Sequence, residues 1–276
     1  MDRSTFHRLF KTPGPVVTPV IHVLDRRQAL TNIAHVARLG AAGVFLINHD
    51  FPVDDFLPIL RDLRQSCPDL WMGVNFLAQP GRVAFPMLGR LADAGCQIDA
   101  YWADDACMDE RQPVQTEAEA IAGIRAASGW SGMYFGGVCF KKQRPVKPAL
   151  NEYSARLARP FMDVVTTSGV ATGQATDLTK IEDFRRGLGA APLAIARSPR
   201  SWPAQKPSKP RGNFASNASV WQPIWKLRGY ASNPAARNWR PRALPPIAAT
   251  MSLKVCSMCS ACLSSLRFTT SFSRGA

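Results

Sequence analysis

The chain has 276 residues, 46% of them hydrophobic, and a formal net charge of +14. The length allows one large domain or two small ones, and the hydrophobic content is ordinary for a globular protein. The sequence contains neither a run of about 18 uninterrupted apolar residues nor an apolar core of a signal peptide near its start, which argues against a membrane span and predicts a cytoplasmic protein.

Nearly all of the excess positive charge lies at the end of the chain. Residues 1–196 contain all 20 acidic residues against 21 Lys and Arg, whereas residues 197–276 contain 13 Lys and Arg and no acidic residue. Average usage would place roughly ten acidic residues in that tail. We therefore treat 1–196 and 197–276 as separate segments and expect any nucleic-acid contact from the tail only.

The elements of the first segment alternate between strand and helix. Strands are predicted at 16–23, 43–49, 71–77, 99–104, 133–140, 163–169 and 192–196. Helices are predicted near 26–40, 53–66, 82–95, 116–128, 150–160 and 178–188. Thr116 with Glu119 fits a capping box, and Asp177 competes with Thr179 to cap the last helix.

These strands are apolar along their length and recur every 25–35 residues or so, which indicates parallel βαβ units covered on both faces. An eight-stranded barrel and an open doubly wound sheet both fit this pattern. No Gly-x-Gly-x-x-Gly turn follows the first strand, which counts against a dinucleotide-binding sheet. The regular count of units, one short of eight, favours the barrel. We predict an α/β fold, a (β/α)8 TIM-type barrel whose eighth unit is missing or replaced, with an irregular C-terminal tail.

Polar residues gather where the predicted strands end, the place where barrel enzymes build their sites. His22, Asp50, Asp104 and Asp105 are predicted to converge at the barrel mouth. They could act as acid and base, and Asp104 and Asp105 could hold a divalent cation such as Mg²⁺. The alternative for each is a structural role, as a buried hydrogen-bonding group or a helix cap.

Two further groups of residues suggest an anionic ligand. Lys141 or Lys142 could neutralise a phosphate, or form a Schiff base if desolvated, although adjacent lysines more often form a solvated loop. The strand at 163–169 is followed by small and hydroxylated residues that let backbone N–H groups approach an anion. In this segment we assign anion binding to Ser168, Gly169, Thr172 and Gly173, with a plain tight turn as the alternative.

Four segments resemble the BtpA/SgcQ family: Gly-Val-Asn-Phe-Leu at 73–77, the run at 99–105, Met-Asp-Glu at 108–110, and above all 163–173 followed by Asp-Leu. The resemblance covers about residues 15–196. It implies a TIM barrel similar to phosphate-binding barrels, in a family named for a factor implicated in photosystem I biogenesis. It also implies a Ser-Gly-x-Thr-like loop and an eighth strand after residue 196, where this chain instead has Arg-Ser-Pro-Arg.

Three functions remain open at this point. The first is an enzyme, an isomerase or lyase, that binds a small phosphorylated metabolite at the mouth. The second is a purine-type phosphoribosyltransferase, because 164–176 resembles its phosphate loop, although Thr167 and Ser168 stand where that loop has two acids. The third is a non-catalytic assembly or regulatory factor. A homo-oligomer is compatible with each of them.

The tail combines an absence of acids with four tryptophans between residues 202 and 239. This composition is typical of translation in a shifted reading frame, and such a tail would replace the eighth unit and could leave the chain inactive. Alternatives are a basic nucleic-acid-binding extension and, at 248–255, a substitute eighth strand. Cys256, Cys259 and Cys262 form only part of an iron–sulfur ligand run.

Overall fold

A computed structural model describes residues 1–172, 174–196 and 219–220. Its strands form one parallel sheet in which every strand pairs with its neighbours in chain order. The strands are β1 (Val20–Val23), β2 (Val44–Asn48), β3 (Met72–Asn75), β4 (Ala100–Ala103), β5 (Met133–Gly137), β6 (Val164–Ser168), β7 (Leu193–Ala196) and β8 (Ser219–Val220). The seven predicted strands and their parallel arrangement are confirmed.

One helix precedes the first strand, and six more connect successive strands from β1 to β7. They are α1 (Arg3–Leu9), α2 (Arg26–Arg38), α3 (Val53–Ser66), α4 (Gly81–Asp93), α5 (Thr116–Ala127), α6 (Asn151–Ala158) and α7 (Leu178–Leu188), with a 3₁₀ turn at Pro148–Leu150 before α6. The six predicted helices are confirmed, and α1 is an addition. None of the helices in the described ranges is both long and apolar enough to cross a membrane.

The sheet ends at a short eighth strand. The strand that pairs in parallel with β7 is β8, through Ala194 with Ser219 and Ile195 with Val220. The candidate strand at 248–255, the cysteines 256, 259 and 262, and the rest of the tail lie outside the described residues. The boundary at residue 196 therefore stays a prediction.

The sheet is strongly curled. The rings of Phe45 on β2 and Phe135 on β5 have centroids 5.2 Å apart, although β3 and β4 stand between these strands. Neighbouring strands lie about 4.8 Å apart, so strands three places apart in a flat sheet would be separated by roughly 14 Å. The rings can meet only because the inner face of the sheet is concave. This confirms the barrel-type α/β fold and gives it an aromatic interior.

The helix α1 closes the N-terminal end of this interior. Its Phe6 lies 6.3 Å from Phe135, and Phe10, which follows the helix, lies 5.1 Å from Trp71 between ring centroids. The Arg3 backbone N–H also donates to the Ala190 carbonyl over 2.8 Å. With this end covered, the carboxyl ends of the strands form the accessible end.

An arginine–aspartate clamp joins β3 and β4 near their amino ends. The carboxylate of Asp99 accepts the backbone N–H of Met72 over 2.8 Å and the guanidinium of Arg64 over 2.6 Å. Because Arg64 comes from α3, the clamp fixes a helix to two strands at once. One carboxylate oxygen thus sets the register of the pair.

The same arrangement recurs two strands later. Asp163 accepts the backbone N–H of Tyr134 over 2.8 Å and the guanidinium of Arg125 over 2.5 Å, with Arg125 supplied by α5. The repeated clamp joins β5 and β6 in the way that the first joins β3 and β4. Because these polar groups stabilise the amino ends of the strands, the opposite end is left available for chemistry.

The structure chooses between the two candidate caps of α7 and shows that the other predicted cap is wrong. Asp177, and not Thr179, caps α7 by accepting the Thr179 N–H over 2.8 Å. The capping box at Thr116 is wrong, because Thr116 is already inside α5 and the N-cap is Gln115, which makes no side-chain cap. The Gln115 side chain instead bonds the backbone of Asp109, so it serves the preceding loop.

Asp177→Ala is expected to lower the free energy of unfolding by about 1 kcal/mol, the usual cost of losing an N-cap acceptor. Thr179→Ala is the matched control, since Thr179 contributes its backbone N–H and retains it. Urea titration of both variants measures the difference. Equal destabilisation by the two changes would contradict the assignment of Asp177 as the cap.

Candidate functional site at the barrel mouth

Strand alternation places polar groups on the inner side at the carboxyl ends. Trp102 of β4 lies in the inner aromatic cluster with Phe45 and Phe135. Successive side chains of a strand point to opposite faces, so Asp104, two residues further on, also lies on the inner side. The mouth is therefore lined by the residues that continue the inner face of each strand.

The first side of the mouth carries a histidine pair. The rings of His22 and His49 have centroids 5.4 Å apart, and His49 Nδ1 lies 3.3 Å from Asp50 Oδ1. Although β1 leaves His22 accessible to solvent, partial desolvation lowers the pKa of its ring, and the nearby His49 and Lys141 lower it further. Asp50 opposes these effects. A neutral His22 presents one N–H donor and one acceptor.

The end of β4 carries Asp104. Its Oδ1 accepts a hydrogen bond from Asn75 Nδ2 over 3.2 Å. Burial raises the pKa of this carboxyl above its ordinary value, while the Asn75 bond and the charges of Lys141 and Lys142 partly offset the rise. A carboxyl that holds its proton to higher pH is better suited to proton transfer near neutrality.

Lys141 interacts electrostatically with both His22 and Asp104. Its positive charge lowers the pKa of both His22 and Asp104, so it is within electrostatic reach of each. The ammonium lies 5.8 Å from the ring centre of Phe140, which belongs to the inner aromatic cluster. A cation over an apolar floor, flanked by hydrogen-bonding groups, is a suitable environment for a small anion.

The predicted pair of acids is divided between two environments. Asp105 accepts the Cys107 backbone N–H over 2.8 Å and Gln143 Nε2 over 3.2 Å, so its carboxylate holds a loop. Asp104 has Asn75 as its partner instead. Within the described ranges, no three His, Cys, Asp or Glu side chains come together as metal ligands. A divalent cation held by Asp104 and Asp105 stays a prediction.

Part of the segment at the end of β6 and after it already forms hydrogen bonds and close contacts within the protein. The buried Ser168 hydroxyl accepts the Lys141 backbone N–H over 2.8 Å and donates to the Gly169 carbonyl over 2.9 Å. A Cβ on Gly169 would lie 2.6 Å from the Gln174 carbonyl, so the close turn requires glycine. Thr172 is exposed, and Gly173 lies outside the described residues. Anion binding by this segment stays a prediction.

Sequence reasoning missed two side chains that support the mouth. Lys180 Nζ donates to the carbonyls of Cys139 and Ser168 over 2.6 and 2.9 Å, which ties the end of β6 to the loop after β5. Gln143 Nε2 donates to the Asp104 carbonyl over 2.8 Å. Both residues are distant in sequence from their partners, and no local pattern reveals them.

Left-handed backbone is concentrated around the same loops. Ala78, Cys107, Cys139 and Lys142 have φ of 60°, 57°, 47° and 67° and follow β3, β4 and β5. Such conformations cost energy for residues other than glycine and cluster at functional sites. The strain supports a functional role for this end of the barrel.

No family model and no curated protein matches this sequence. Among solved structures, orotidine 5'-monophosphate decarboxylase from Methanocaldococcus jannaschii is 10% identical with a TM-score of 0.49, covering 81% of this chain and 96% of that one. Tryptophan synthase subunit alpha from Legionella pneumophila str. Paris is 14% identical with a TM-score of 0.46, covering 71% and 78%.

A mandelate racemase/muconate lactonizing protein from Herpetosiphon aurantiacus is also similar, at 14% identity and a TM-score of 0.44. The match covers 67% of this chain and 47% of that one, so this chain spans about half the length of that protein. The barrel assignment accordingly rests on the strand order and curl of the sheet described above.

Proposed function

We propose that the mouth of this barrel binds a small phosphorylated or carboxylated metabolite and that Asp104 exchanges a proton with it. The observation that carries the proposal is the position of Lys141, within electrostatic reach of both His22 and Asp104. Acid–base chemistry beside a bound anion is typical of isomerases and lyases. The fold alone does not choose between them.

In this proposal Lys141 provides the charge that binds the anion. His22 and Asn75 add hydrogen-bonding groups on either side, because both lie at the carboxyl ends of their strands. The aromatic floor below Lys141 excludes water on one side, which strengthens the attraction between ammonium and anion. Asp50 orients His49, to which it is bonded.

Asp104 serves as the acid or base because it differs from the other carboxylates of this region. Burial raises its pKa, whereas hydrogen bonds from Arg111 lower the pKa of Asp109 to about 2. Carboxyls whose environments separate their pKa values in this way divide into proton-transfer and structural groups. Asp109 belongs to the structural group.

We also propose that the chain is a divergent barrel of the BtpA/SgcQ type. Support comes from the positions of the quoted segments, since 73–77, 99–105 and 163–173 contain the ends of β3, β4 and β6. The phosphoribosyltransferase alternative has less support. Thr167 Oγ1 donates to the Val138 carbonyl over 3.0 Å, and the Ser168 hydroxyl is also engaged, so neither side chain replaces the missing acids.

A thermal-shift panel tests the anion site. We expect sugar phosphates or small carboxylates to raise the melting temperature of the full chain, whereas the corresponding uncharged sugars leave it unchanged. Phosphoribosyl pyrophosphate with and without a purine is included, and release of pyrophosphate would favour the transferase instead. Absence of a shift with any anion would contradict binding at the mouth and favour a non-catalytic factor.

Lys141→Met is expected to weaken binding of the best anion at least about tenfold, because it removes the cation placed over the aromatic floor. Isothermal titration calorimetry at two salt concentrations provides the measurement. Lys147→Met is the control, since Lys147 is exposed on the same loop and its replacement keeps the net charge of the two variants equal. Equal loss in both would indicate non-specific attraction.

A further inference from the structure

A cavity of about 260 Å³ lies where the loops after β4 and β5 meet α6. Its apolar wall is formed by Cys107, Val138, Cys139 and Leu157. Both cysteines are unpaired thiols, and burial raises their pKa values, to about 11 for Cys107. At neutral pH these thiols are therefore uncharged and contribute an apolar surface.

The polar wall of the cavity carries three carboxylates and only two guanidinium groups. Arg111 binds Asp109 over 2.7 Å, and Arg144 binds Glu110 over 2.5 Å. These contacts pair both lining arginines with carboxylates. Asp105 is the fifth charged lining residue, and in the described part of the chain it forms no ion pair, only bonds from uncharged N–H groups.

A buried hydroxyl completes the cavity. Ser154 is 3% exposed and lines the cavity, and its Oγ has no hydrogen-bond partner among the described nitrogen and oxygen atoms. Its polar neighbour is the Cys139 thiol, whose pKa it lowers against the larger effect of burial. A buried hydroxyl left without a good partner costs free energy that a ligand atom could recover.

We propose that this cavity binds a small primary amine with a compact apolar body. The ammonium group lies on the Asp105 carboxylate, and the body fills the space between Cys107, Cys139 and Leu157. The Ser154 hydroxyl oxygen accepts a hydrogen bond from the ammonium. Asp105 supplies the uncompensated charge, and the thiol-lined wall supplies the apolar contact. The proposal does not depend on the chemistry of the mouth.

The size and charge of the cavity favour a small, positively charged ligand. A volume near 260 Å³ lies just below the usual range of small-molecule sites, which suits a ligand of about ten non-hydrogen atoms. An anion would approach three carboxylates whose two arginines are already bonded. A cation is attracted to Asp105. The tail at 197–276 carries 13 Lys and Arg and no acid, so it does not attract a cation and does not compete with the cavity for it.

The test uses 2-phenylethylamine as the probe and 2-phenylethanol as its uncharged analogue, with the full chain in a calorimeter. We expect the amine to bind at least about tenfold more tightly than the alcohol. Asp105→Asn, which retains an oxygen for the Cys107 N–H, should weaken amine binding at least about tenfold. Ser154→Leu fills the cavity and should abolish binding, and Asp93→Asn, an exposed site on α4, is the control.

Alkylation by N-ethylmaleimide locates the probe. The amine should slow labelling of Cys107 and Cys139, which line the cavity, whereas the buried Cys67 and Cys96 should stay unlabelled with or without the amine. Equal binding of amine and alcohol would overturn the proposal. Amine binding that persists in Ser154→Leu, or that weakens equally in Asp93→Asn, would overturn it as well. The proposal would also be overturned if the wild-type protein, at about 10 mM amine, showed neither a heat of binding nor slower labelling of its thiols.

Discussion

Arg125→Met is expected to lower the free energy of unfolding by about 3 kcal/mol. The change leaves the Asp163 carboxylate without its cation while Asp163 still accepts the Tyr134 N–H. Breaking a buried pair from one side costs about 3–5 kcal/mol, and we take the lower value because both side chains are about a quarter exposed. Arg125 also packs against the rings of Phe85 and Trp130 at 5.9 and 5.7 Å.

Urea titration of three variants separates the contributions. Arg156→Ala removes an exposed pair with Glu152 at 3.9 Å and should cost less than about 1 kcal/mol. Adding Asp163→Asn to Arg125→Met should recover part of the loss, because it removes the uncompensated charge and keeps an acceptor for Tyr134. An Arg125→Met variant as stable as Arg156→Ala would contradict the role of the clamp.

Asp104→Asn is expected to reduce turnover of the bound metabolite by at least about 100-fold, the usual contribution of a positioned acid or base. At neutral pH the same change should leave the free energy of unfolding unchanged or raise it. The reason is that the new amide side chain keeps an oxygen for Asn75 and replaces a carboxylate whose charged form is disfavoured by burial.

The pH dependence of this effect has a definite sign. The pKa of Asp104 in the folded chain lies above its ordinary value of 3.8, so the folded state holds this proton more tightly than the unfolded state. Wild-type stability therefore falls as pH rises through the interval between the two pKa values and the loss is complete above it. The stability advantage of Asp104→Asn should grow across that interval and then stay constant.

Urea titrations of wild type and Asp104→Asn between pH 3.5 and pH 7 provide the measurement, and Asp50→Asn serves as an exposed control. A variant that is less stable than wild type at pH 7 by more than about 1 kcal/mol would show that the carboxylate has a structural role. Such a result would remove Asp104 from the proposed chemistry.

The barrel was predictable because its strands are apolar on both faces. Runs such as 43–49 and 99–104 leave no polar face for water, and the regular helices between them allow few arrangements. The helix α1 was not predicted, since its stability comes from Phe6 packing against Phe135, a contact across more than 120 residues. The Thr116 cap failed because Gln115 serves the loop that precedes α5.

The mouth was predictable only in part. Strand ends pointed to His22, Asp104 and Lys141, because parallel strands bring their carboxyl ends to one edge. Asp104 and Asp105 have different roles because Asp104 bonds Asn75 and Asp105 bonds Gln143. The sequence does not reveal these partners, so it does not distinguish the two adjacent acids. The engagement of the Ser168 hydroxyl by the Lys141 backbone likewise depends on how two loops meet.

The most direct test of anion binding at the mouth must exclude the basic tail, which will attract any phosphate. Titration of ¹⁵N-labelled full chain with ribose 5-phosphate, followed by backbone amide shifts, distinguishes the two. We predict saturable changes at His22, Asn75, Asp104 and Lys141, and their loss in Lys141→Met but not in Lys147→Met. Changes confined to residues 197–276, or changes at the mouth that persist in Lys141→Met, would contradict the account.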